Sequence, residues 1–94
     1  MAYARKKKTE EATWKEVKGM SGFTVIGTRS RFSVSFEPFE GFRIGINGCR
    51  VIDGKNGSFI SFPAWKDASG KYHDYCYMTF SDEEIGAIIN TLDE

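Results

Sequence analysis

The sequence predicts an α+β fold in which an antiparallel sheet of four or five strands is followed by one C-terminal helix. From residue 22 onward, short runs of β-branched and aromatic residues alternate with polar residues and are separated by glycines, a pattern typical of antiparallel strands and turns. After residue 80 the apolar residues recur at helical spacing instead. The 94 residues are enough for one domain with a single core. We therefore expect a flexible basic arm over residues 1–20 and one domain over residues 21–94.

The composition is that of a folded chain, with 40% hydrophobic, 28% charged and 15% aromatic residues. No apolar run approaches the roughly 18 residues that a spanning helix needs, and the N-terminus lacks the apolar segment of a signal peptide. We therefore expect a cytoplasmic protein in which Cys49 and Cys76 are reduced thiols. A domain this small without a disulfide gains buried surface by pairing with a second copy, so we expect a homodimer.

Five strands are predicted from the alternation of apolar and polar residues. In the second of them, Phe32, Val34 and Phe36 share one face, and polar residues share the other, as expected for a half-solvated strand. The Asp-Gly and Asn-Gly pairs within residues 53–57 predict a tight turn with Lys55 at its tip. The expected strands cover residues 23–28, 31–37, 41–52, 58–64 and 72–80.

The last segment predicts a helix that follows Ser81. Ser81 and Glu84 have the spacing of a capping box, in which each side chain binds the backbone of the other residue. Apolar residues then recur at i, i+3, i+4 and i+7 and so form one stripe. Because a helix of about three turns is marginal alone, the stripe should dock on the sheet, on a second subunit, or on both. We expect a dimer interface that contains Ile85, Ile88, Ile89 and Leu92.

Charge is distributed unevenly although the formal net charge is +0. All 13 Lys and Arg lie within residues 1–80 together with 8 acids, whereas residues 81–94 hold 5 acids and no base. A basic body attracts phosphate groups. The acidic end either screens that surface, recruits a replication or transcription protein, or is the solvated side of the helix. The arm is a mobile phosphate-binding segment or a solubilising terminus, and its basic cluster comprises Arg5, Lys6, Lys7 and Lys8.

Residues suited to catalysis or metal binding are scarce. His73 is the only histidine and lies in a predicted strand with no nucleophile motif beside it. His73 and Cys76 would point to opposite faces of that strand, and the sequence has no CxxC pair. The glycines within residues 45–57 lack the Gly-Lys-Ser/Thr ending of a phosphate loop. We therefore expect no enzymatic activity, no metal and no cofactor.

Aromatic and basic residues are interleaved along the predicted sheet. One face of the strand expected at residues 72–80 should be solvated and carry Lys71, His73, Tyr75 and Tyr77. The other face should lie in the core and carry Tyr72, Cys76, Met78 and Phe80. Rings on which bases stack, together with Arg and Lys that neutralise phosphates, are typical of single-stranded nucleic-acid binding. The candidate contacts are Arg29, Arg31, Arg43, Arg50, Lys55, Trp65, Lys66, Lys71, Tyr75 and Tyr77.

Residues 50–74, RVIDGKNGSFISFPAWKDASGKYHD, resemble a segment of the stage V sporulation protein G (SpoVG) family. The shared pattern is R-V-I-D-G-x-N-G-x-F-I-x-x-P, followed by a basic turn and G-x-Y/F-x-D. Trp65 stands where that family usually has small polar or basic residues. Members of the family are small dimeric bacterial regulators, so the resemblance implies binding to DNA or RNA.

Residues 23–46, FTVIGTRSRFSVSFEPFEGFRIGI, are similar to the opening strands of the transcriptional coactivator family called positive cofactor four. Those coactivators and their bacteriophage relatives are dimers of four-stranded sheets closed by a C-terminal helix, and they bind single-stranded DNA on the sheet. Here the connection over residues 53–70 is longer, and Lys71 alone represents the lysines of the family's last strand. The resemblance therefore implies base stacking by Tyr75, Tyr77 or Trp65.

Together these observations favour a homodimeric single-stranded-DNA-binding protein of a bacterial or phage-infected cell, acting in DNA replication, recombination or transcription. Two alternatives stay open. A SpoVG-like regulator would recognise particular DNA or RNA sites. A protein-interaction module would instead use the exposed aromatic residues as a protein interface, with the acidic end as its charged rim.

Overall fold

The computed structural model describes residues 13–94, which form seven strands and one helix. The basic cluster expected at residues 5–8 lies outside the described residues. In chain order the elements are β1 (Lys15–Glu16), β2 (Thr24–Thr28), β3 (Arg31–Phe39), β4 (Phe42–Gly54), β5 (Gly57–Ser61), β6 (Ala64–Lys66), β7 (Tyr72–Asp74) and α1 (Asp82–Asp93).

The first five strands form one antiparallel sheet in which each strand pairs with the next along the chain. The β4–β5 hairpin closes at the pair Gly54 and Gly57, with Lys55 and Asn56 as its two-residue loop. The tight turn predicted there is confirmed. Strands β6 and β7 form a separate two-stranded sheet. The predicted fold class, an antiparallel sheet followed by a C-terminal helix, is also confirmed.

The core lies on one face of the five-stranded sheet. Val25 pairs with Val34, and Phe32 pairs with Cys49, so the four side chains lie on the same face. Each of them is at most 2% exposed. Burial of such apolar surface, worth roughly 25 cal/mol per Å², is the main force that holds a sheet of this size to its covering layer. The buried apolar residues are Val17, Phe23, Val25, Phe32, Val34, Ile46, Cys49, Phe62, Ile88 and Leu92.

Helix α1 begins at a capping box, as predicted. Ser81 Oγ accepts the Glu84 N–H at 3.1 Å, and Glu84 Oε1 accepts the Ser81 N–H at 2.9 Å. These bonds satisfy backbone donors that a helix start leaves unpaired. The side chains of Asp82 and Glu83 add negative charge at the positive end of the helix dipole. Within residues 13–94, no helix is long and apolar enough to cross a membrane.

The apolar stripe of α1 packs against the sheet of its own chain. Ile88 is 0% exposed and Leu92 is 9% exposed, and both belong to the core. The expectation that the whole stripe forms a dimer interface is therefore wrong for Ile88 and Leu92, because the core of their own chain already buries these two side chains. Ile85 and Ile89 are half-buried and are the part of the stripe left for a second subunit.

The strand expected at residues 72–80 is much shorter than predicted. Strand β7 ends at Asp74, and residues 75–80 leave it to cross the core before the helix. On this crossing Phe80 lies against Phe23 and Phe62, with ring centroids 5.8 and 6.2 Å apart. Cys76, Met78 and Phe80 contact the core, as expected from their alternation. The expectation for Tyr72 is wrong: it is 72% exposed, because β7 pairs with β6 and not with the main sheet.

Pro63 explains why the strand expected at residues 58–64 is divided into β5 and β6. Proline has no N–H, so it cannot donate to a neighbouring strand and usually marks a strand end. Strand β5 ends at Ser61, and β6 starts at Ala64. The Pro63 carbonyl accepts the Tyr75 N–H at 2.9 Å, which joins the two ends of the β6–β7 hairpin.

The last part of the expected N-terminal arm belongs to the folded domain. Lys15 and Glu16 pair with β2, and Val17 is 1% exposed in the core. The Val17 N–H donates to the Phe23 carbonyl, and the Phe23 N–H donates to the Met20 carbonyl, which ties residues 17–23 into a turn. The boundary expected at residue 20 is therefore wrong, because β1 is part of the sheet.

Candidate nucleic-acid interface

The face of the sheet opposite the core, here called the outer face, carries polar and charged side chains. On β3, Arg31, Ser33 and Ser35 alternate with the core residues Phe32 and Val34. On β4, the outer face carries Arg43 and Asn47. This alternation was predicted, and it places several hydrogen-bond donors on one surface.

A bulge in β4 decides which residues of its second half reach the outer face. Val34 pairs with Ile46, but Phe32 pairs with Cys49, so β4 contains one residue more than β3 between these two pairs. Gly48 has φ +84, a conformation that glycine adopts without the strain imposed by a side chain. The extra residue turns Cys49 into the core and Arg50 onto the outer face. Arg50 then lies beside Arg31 of the neighbouring strand, one position beyond the Phe32–Cys49 pair.

A groove of about 650 Å³ separates this part of the outer face from the β6–β7 hairpin. Its volume is within the range of about 300–1,000 Å³ that ligand sites occupy. We call it the arginine groove. It is lined by Arg31, Asn47, Gly48, Arg50, Ser61, Phe62, Pro63, Ala64, Tyr72 and Asp74.

The charges in the arginine groove are not neutralised by ion pairs within residues 13–94. Arg31 and Arg50 are exposed, and neither has a carboxylate within ion-pair distance in that part of the chain. Asp74 also lines the groove and makes no ion pair with these residues. The groove therefore presents two guanidinium groups and one carboxylate to a ligand.

The β6–β7 hairpin is held by the carboxylate of Asp67 in its turn. Asp67 accepts hydrogen bonds from the Ser69 N–H, the Ser69 hydroxyl and the Lys71 N–H, at 2.7–3.0 Å, and its Oδ2 lies 2.7 Å from His73 Nε2. The bonds from His73, Ser69 and Lys71 lower the pKa of Asp67 to about 2. This network gives His73 a structural partner in the hairpin.

The cross-strand pairs of the β6–β7 hairpin show which of its residues share a face. Trp65 pairs with His73, and their rings stack at 4.7 Å. Lys66 pairs with Tyr72, with its Nζ 5.7 Å from the ring centroid. Because alternate residues face opposite ways, Trp65 and His73 point away from the face on which Tyr72 lines the arginine groove.

Of the ten predicted contacts, the structure brings two, Arg31 and Arg50, into the arginine groove. Arg29 is instead paired with Asp93 of the helix, with nitrogen–oxygen distances of 2.8 and 3.0 Å. This pairing lowers the pKa of Asp93 and raises that of Arg29. Arg43 lies on the outer face, where it donates to Ser35 Oγ at 2.8 Å and approaches Glu37.

The other predicted contacts lie outside the groove lining. Lys55 is at the tip of the β4–β5 hairpin, and Lys71 is in the turn between β6 and β7. Tyr75 and Tyr77 are about 70% exposed, as expected, but they follow β7 on the segment that crosses the core. The expectation that they share a strand face with Lys71 and His73 is therefore wrong. The contacts outside the groove are Arg29, Arg43, Lys55, Trp65, Lys66, Lys71, Tyr75 and Tyr77.

Sequence reasoning missed four residues in or beside the groove. Asn47, Tyr72 and Asp74 line the groove. Phe59, which pairs with Ile52, lies on the outer face of β5, as does the groove residue Ser61. The alternation of residues 72–80 predicts Tyr72 in the core only if that strand belongs to the main sheet, whereas β7 pairs with β6. The proline at position 63 was the available signal that the chain leaves that sheet.

The two cysteines are free thiols in the core region. Burial, with a smaller effect of Cys76, raises the pKa of Cys49 to about 11, so its thiol stays protonated at neutral pH.

Within residues 13–94 no group of three or more His, Cys, Asp or Glu side chains is placed to hold a metal ion. No family model, curated protein or solved structure matches the chain.

Proposed function

We propose that this protein binds single-stranded nucleic acid, with DNA as the main ligand. The binding surface would be the arginine groove and the outer face of the sheet. The observation that carries the proposal is the juxtaposition of Arg31, Arg50 and Tyr72 in one groove. Two guanidinium groups that make no ion pair within residues 13–94 attract backbone phosphates, and an exposed ring beside them offers a base a stacking surface.

Binding would proceed by electrostatic capture followed by base stacking. Arg31 and Arg50 neutralise phosphates and release counterions, so affinity falls steeply with salt. Tyr72, 72% exposed, stacks a base, and Phe59, 49% exposed, extends the stacking surface along the outer face. Each stacked base contributes roughly 1–3 kcal/mol. The basic cluster at residues 5–8 adds charge for the first encounter.

The first test is fluorescence anisotropy of a labelled thymidine oligonucleotide at about 50 and 200 mM salt, with a duplex of equal length as competitor. We expect binding that weakens with salt and resists the duplex. The double variant Arg31→Ala/Arg50→Ala should bind at least about tenfold more weakly, with the slope of log affinity against log salt reduced by about 1.4 for two lost phosphate contacts.

Arg29→Ala is the matched control. It removes the same charge two residues before Arg31, but its side chain is held by Asp93 outside the groove. It should bind the oligonucleotide as the wild type does, and circular dichroism should show that all variants are folded. Lack of binding by the wild type even at low salt would overturn the proposal, as would full binding by the double variant.

A second candidate is a SpoVG-like regulator that recognises particular DNA or RNA sites. It is favoured by the position of the residues that carry that resemblance, since Arg50, Tyr72 and Asp74 all line the arginine groove. Stacking and phosphate contacts alone tolerate many sequences. A preference for one extended sequence that survives at moderate salt would therefore support this candidate.

A third candidate, a protein-interaction module, is favoured by the tip of the β3–β4 hairpin. Phe39 and Phe42 are 64% and 48% exposed there, and their rings stack at 4.9 Å. In that case the groove arginines would be dispensable for function.

We further propose that the protein is a homodimer, and that its acidic C-terminal segment binds a replication or transcription protein.

A further inference from the structure

We propose that the arginine groove accepts a guanine base, whose N1–H and N2–H₂ groups donate to Asp74 while an arginine of the groove donates to O6 and N7. The inference rests on the proposed function and adds the base preference of the same site. The carboxylate of Asp74 would repel phosphates if the groove bound a nucleic-acid backbone and nothing else.

Asp74 differs from the other aspartates that lie outside the helix start. Asp53 accepts a hydrogen bond from the Ser58 hydroxyl at 2.7 Å. Asp67 accepts the bonds of the β6–β7 turn, and Asp93 is paired with Arg29. Asp74 makes no side-chain hydrogen bond within the described part of the chain, and it lines the groove beside Tyr72. As far as residues 13–94 are concerned, its acceptor oxygens are therefore available to a ligand.

An ionised carboxylate only accepts hydrogen bonds and binds best to two neighbouring donors. Guanine is the base that offers two such donors, N1–H and N2–H₂, side by side on its Watson–Crick edge. Adenine and cytosine each offer one amino group next to an acceptor, and thymine offers one imide N–H between two carbonyls. A carboxylate in the groove therefore favours guanine over the other bases.

The remaining polar groups of the groove suit the neighbouring Hoogsteen edge of the same base. Guanine O6 and N7 are acceptors that an arginine binds with two parallel hydrogen bonds. Arg31 and Arg50 lie on neighbouring strands, so one can bind this edge while the other holds a phosphate. The Asn47 amide oxygen accepts the Ser33 hydroxyl at 2.7 Å, which leaves the Asn47 Nδ2 donors for the groove.

Tyr72 and the size of the groove complete the site. Tyr72 is two residues before Asp74 on the same face of β7, so a base bound to Asp74 lies within reach of the ring. The volume of about 650 Å³ is sufficient for a nucleotide with its phosphate. Single-stranded bases are commonly read in this way, by stacking and by hydrogen bonds to their exposed edges.

The test compares three octanucleotides, of a length within the about 4–16 nucleotides that such sites cover, by fluorescence anisotropy at fixed salt. The first alternates thymidine and guanosine, the second has inosine in place of guanosine, and the third contains thymidine alone. Inosine keeps N1–H, O6 and N7 but lacks the N2 amino group. We expect the guanosine octamer to bind at least about fivefold more tightly than the inosine octamer, since a good two-bond contact discriminates roughly 5- to 150-fold.

Asp74→Asn should reduce the guanosine-to-inosine ratio to less than about twofold, because the amide offers a single acceptor oxygen. Glu40→Gln is the control, since it removes one negative charge from an exposed residue outside the groove and should keep the wild-type ratio. A wild-type ratio near one, with all octamers bound, would overturn the guanine assignment and leave the proposed function intact. A wild-type preference that Asp74→Asn retains would exclude Asp74 as its source. If no octamer binds at low salt, the proposed function itself fails.

Discussion

Arg29 and Arg31 are two residues apart, yet their guanidinium groups have different partners. Arg29 binds both carboxylate oxygens of Asp93 and so joins the β2–β3 turn to the end of the helix. Arg31 faces the arginine groove and has no ion-pair partner within residues 13–94. An exposed pair such as Arg29–Asp93 contributes little to stability, but it removes Arg29 from the charge available to a ligand.

The carboxylate of Asp67 should make the stability of the protein depend on pH. Its pKa is lowered from an ordinary value near 3.9 to about 2 in the folded protein, first by the hydrogen bond with His73. A depressed pKa means that the ionised form stabilises the folded state above about pH 4. This contribution is lost as the pH falls from about 4 to about 2. We therefore expect the difference in melting temperature between the wild type and Asp67→Asn to be at its full value above about pH 5 and to shrink as the pH falls toward 2.

Trp65 fluorescence measures the hairpin directly, because its ring stacks on His73. A Trp14→Phe background leaves Trp65 as the one tryptophan of the chain. Asp53→Asn is the control, since Asp53 bonds Ser58 in a different hairpin. If the Asp67→Asn difference were constant across this pH range, the carboxylate of Asp67 would not be the stabilising group.

At the scale of the helix, the structure makes Ile88 a core residue. Ile88 is 0% exposed, so its replacement by alanine leaves a cavity against the sheet. We expect Ile88→Ala to lower the free energy of unfolding by about 2–5 kcal/mol, measured by urea denaturation. The half-buried Ile85 is the comparison, and Ile85→Ala should cost less. Equal losses at both positions would contradict the assignment of Ile88 to the core.

Strand β4 contributes residues both to the core and to the arginine groove on the outer face. Its first half carries Ile44 and Ile46 toward the core, and a strict period of two would continue that face through position 50. The bulge at Gly48 shifts the alternation by one residue, so Cys49 is buried and Arg50 is exposed. The bulge therefore brings a second arginine, Arg50, into the groove beside Arg31.

At the scale of the whole molecule, the proposed homodimer can be tested through the part of the helix stripe that remains accessible. We expect sedimentation equilibrium at micromolar concentration to give twice the chain mass of 10.6 kDa. Ile89→Glu should shift the protein toward the monomer, because it places a charge in the proposed contact. Asn90→Glu, at the exposed neighbouring position, is the control and should leave the mass unchanged. A wild type that sediments as a monomer would show that no dimer forms.

Much of the fold could be predicted because its signals are local. The alternation of Phe32, Val34 and Phe36 identified β3, and the Ser81–Glu84 spacing identified the start of α1. The two-residue turn at Lys55 also depends only on its neighbours in the chain. Each of these features arises from interactions across a few residues, which a single sequence displays directly.

The candidate site was harder to predict because it combines residues far apart in the chain. Tyr72 and Asp74 reach the groove only because the chain turns away from the main sheet after Pro63. Trp65 and Tyr72 belong to opposite faces of a hairpin whose register depends on the Asp67 turn. The same alternation of side chains is compatible with several pairings, so the pattern does not specify which strands are neighbours.

The amino-acid sequence by itself determined the class of fold, the capped helix, the alternating faces of the central strands and the presence of interleaved basic and aromatic residues. Only the tertiary structure decided which of those residues share a surface. It placed Arg31, Arg50, Tyr72 and Asp74 around one groove, paired Arg29 with the helix and buried half of the helix stripe. The reason is physical: local pattern follows from backbone geometry, whereas a groove depends on which distant segments bury the most apolar surface against one another.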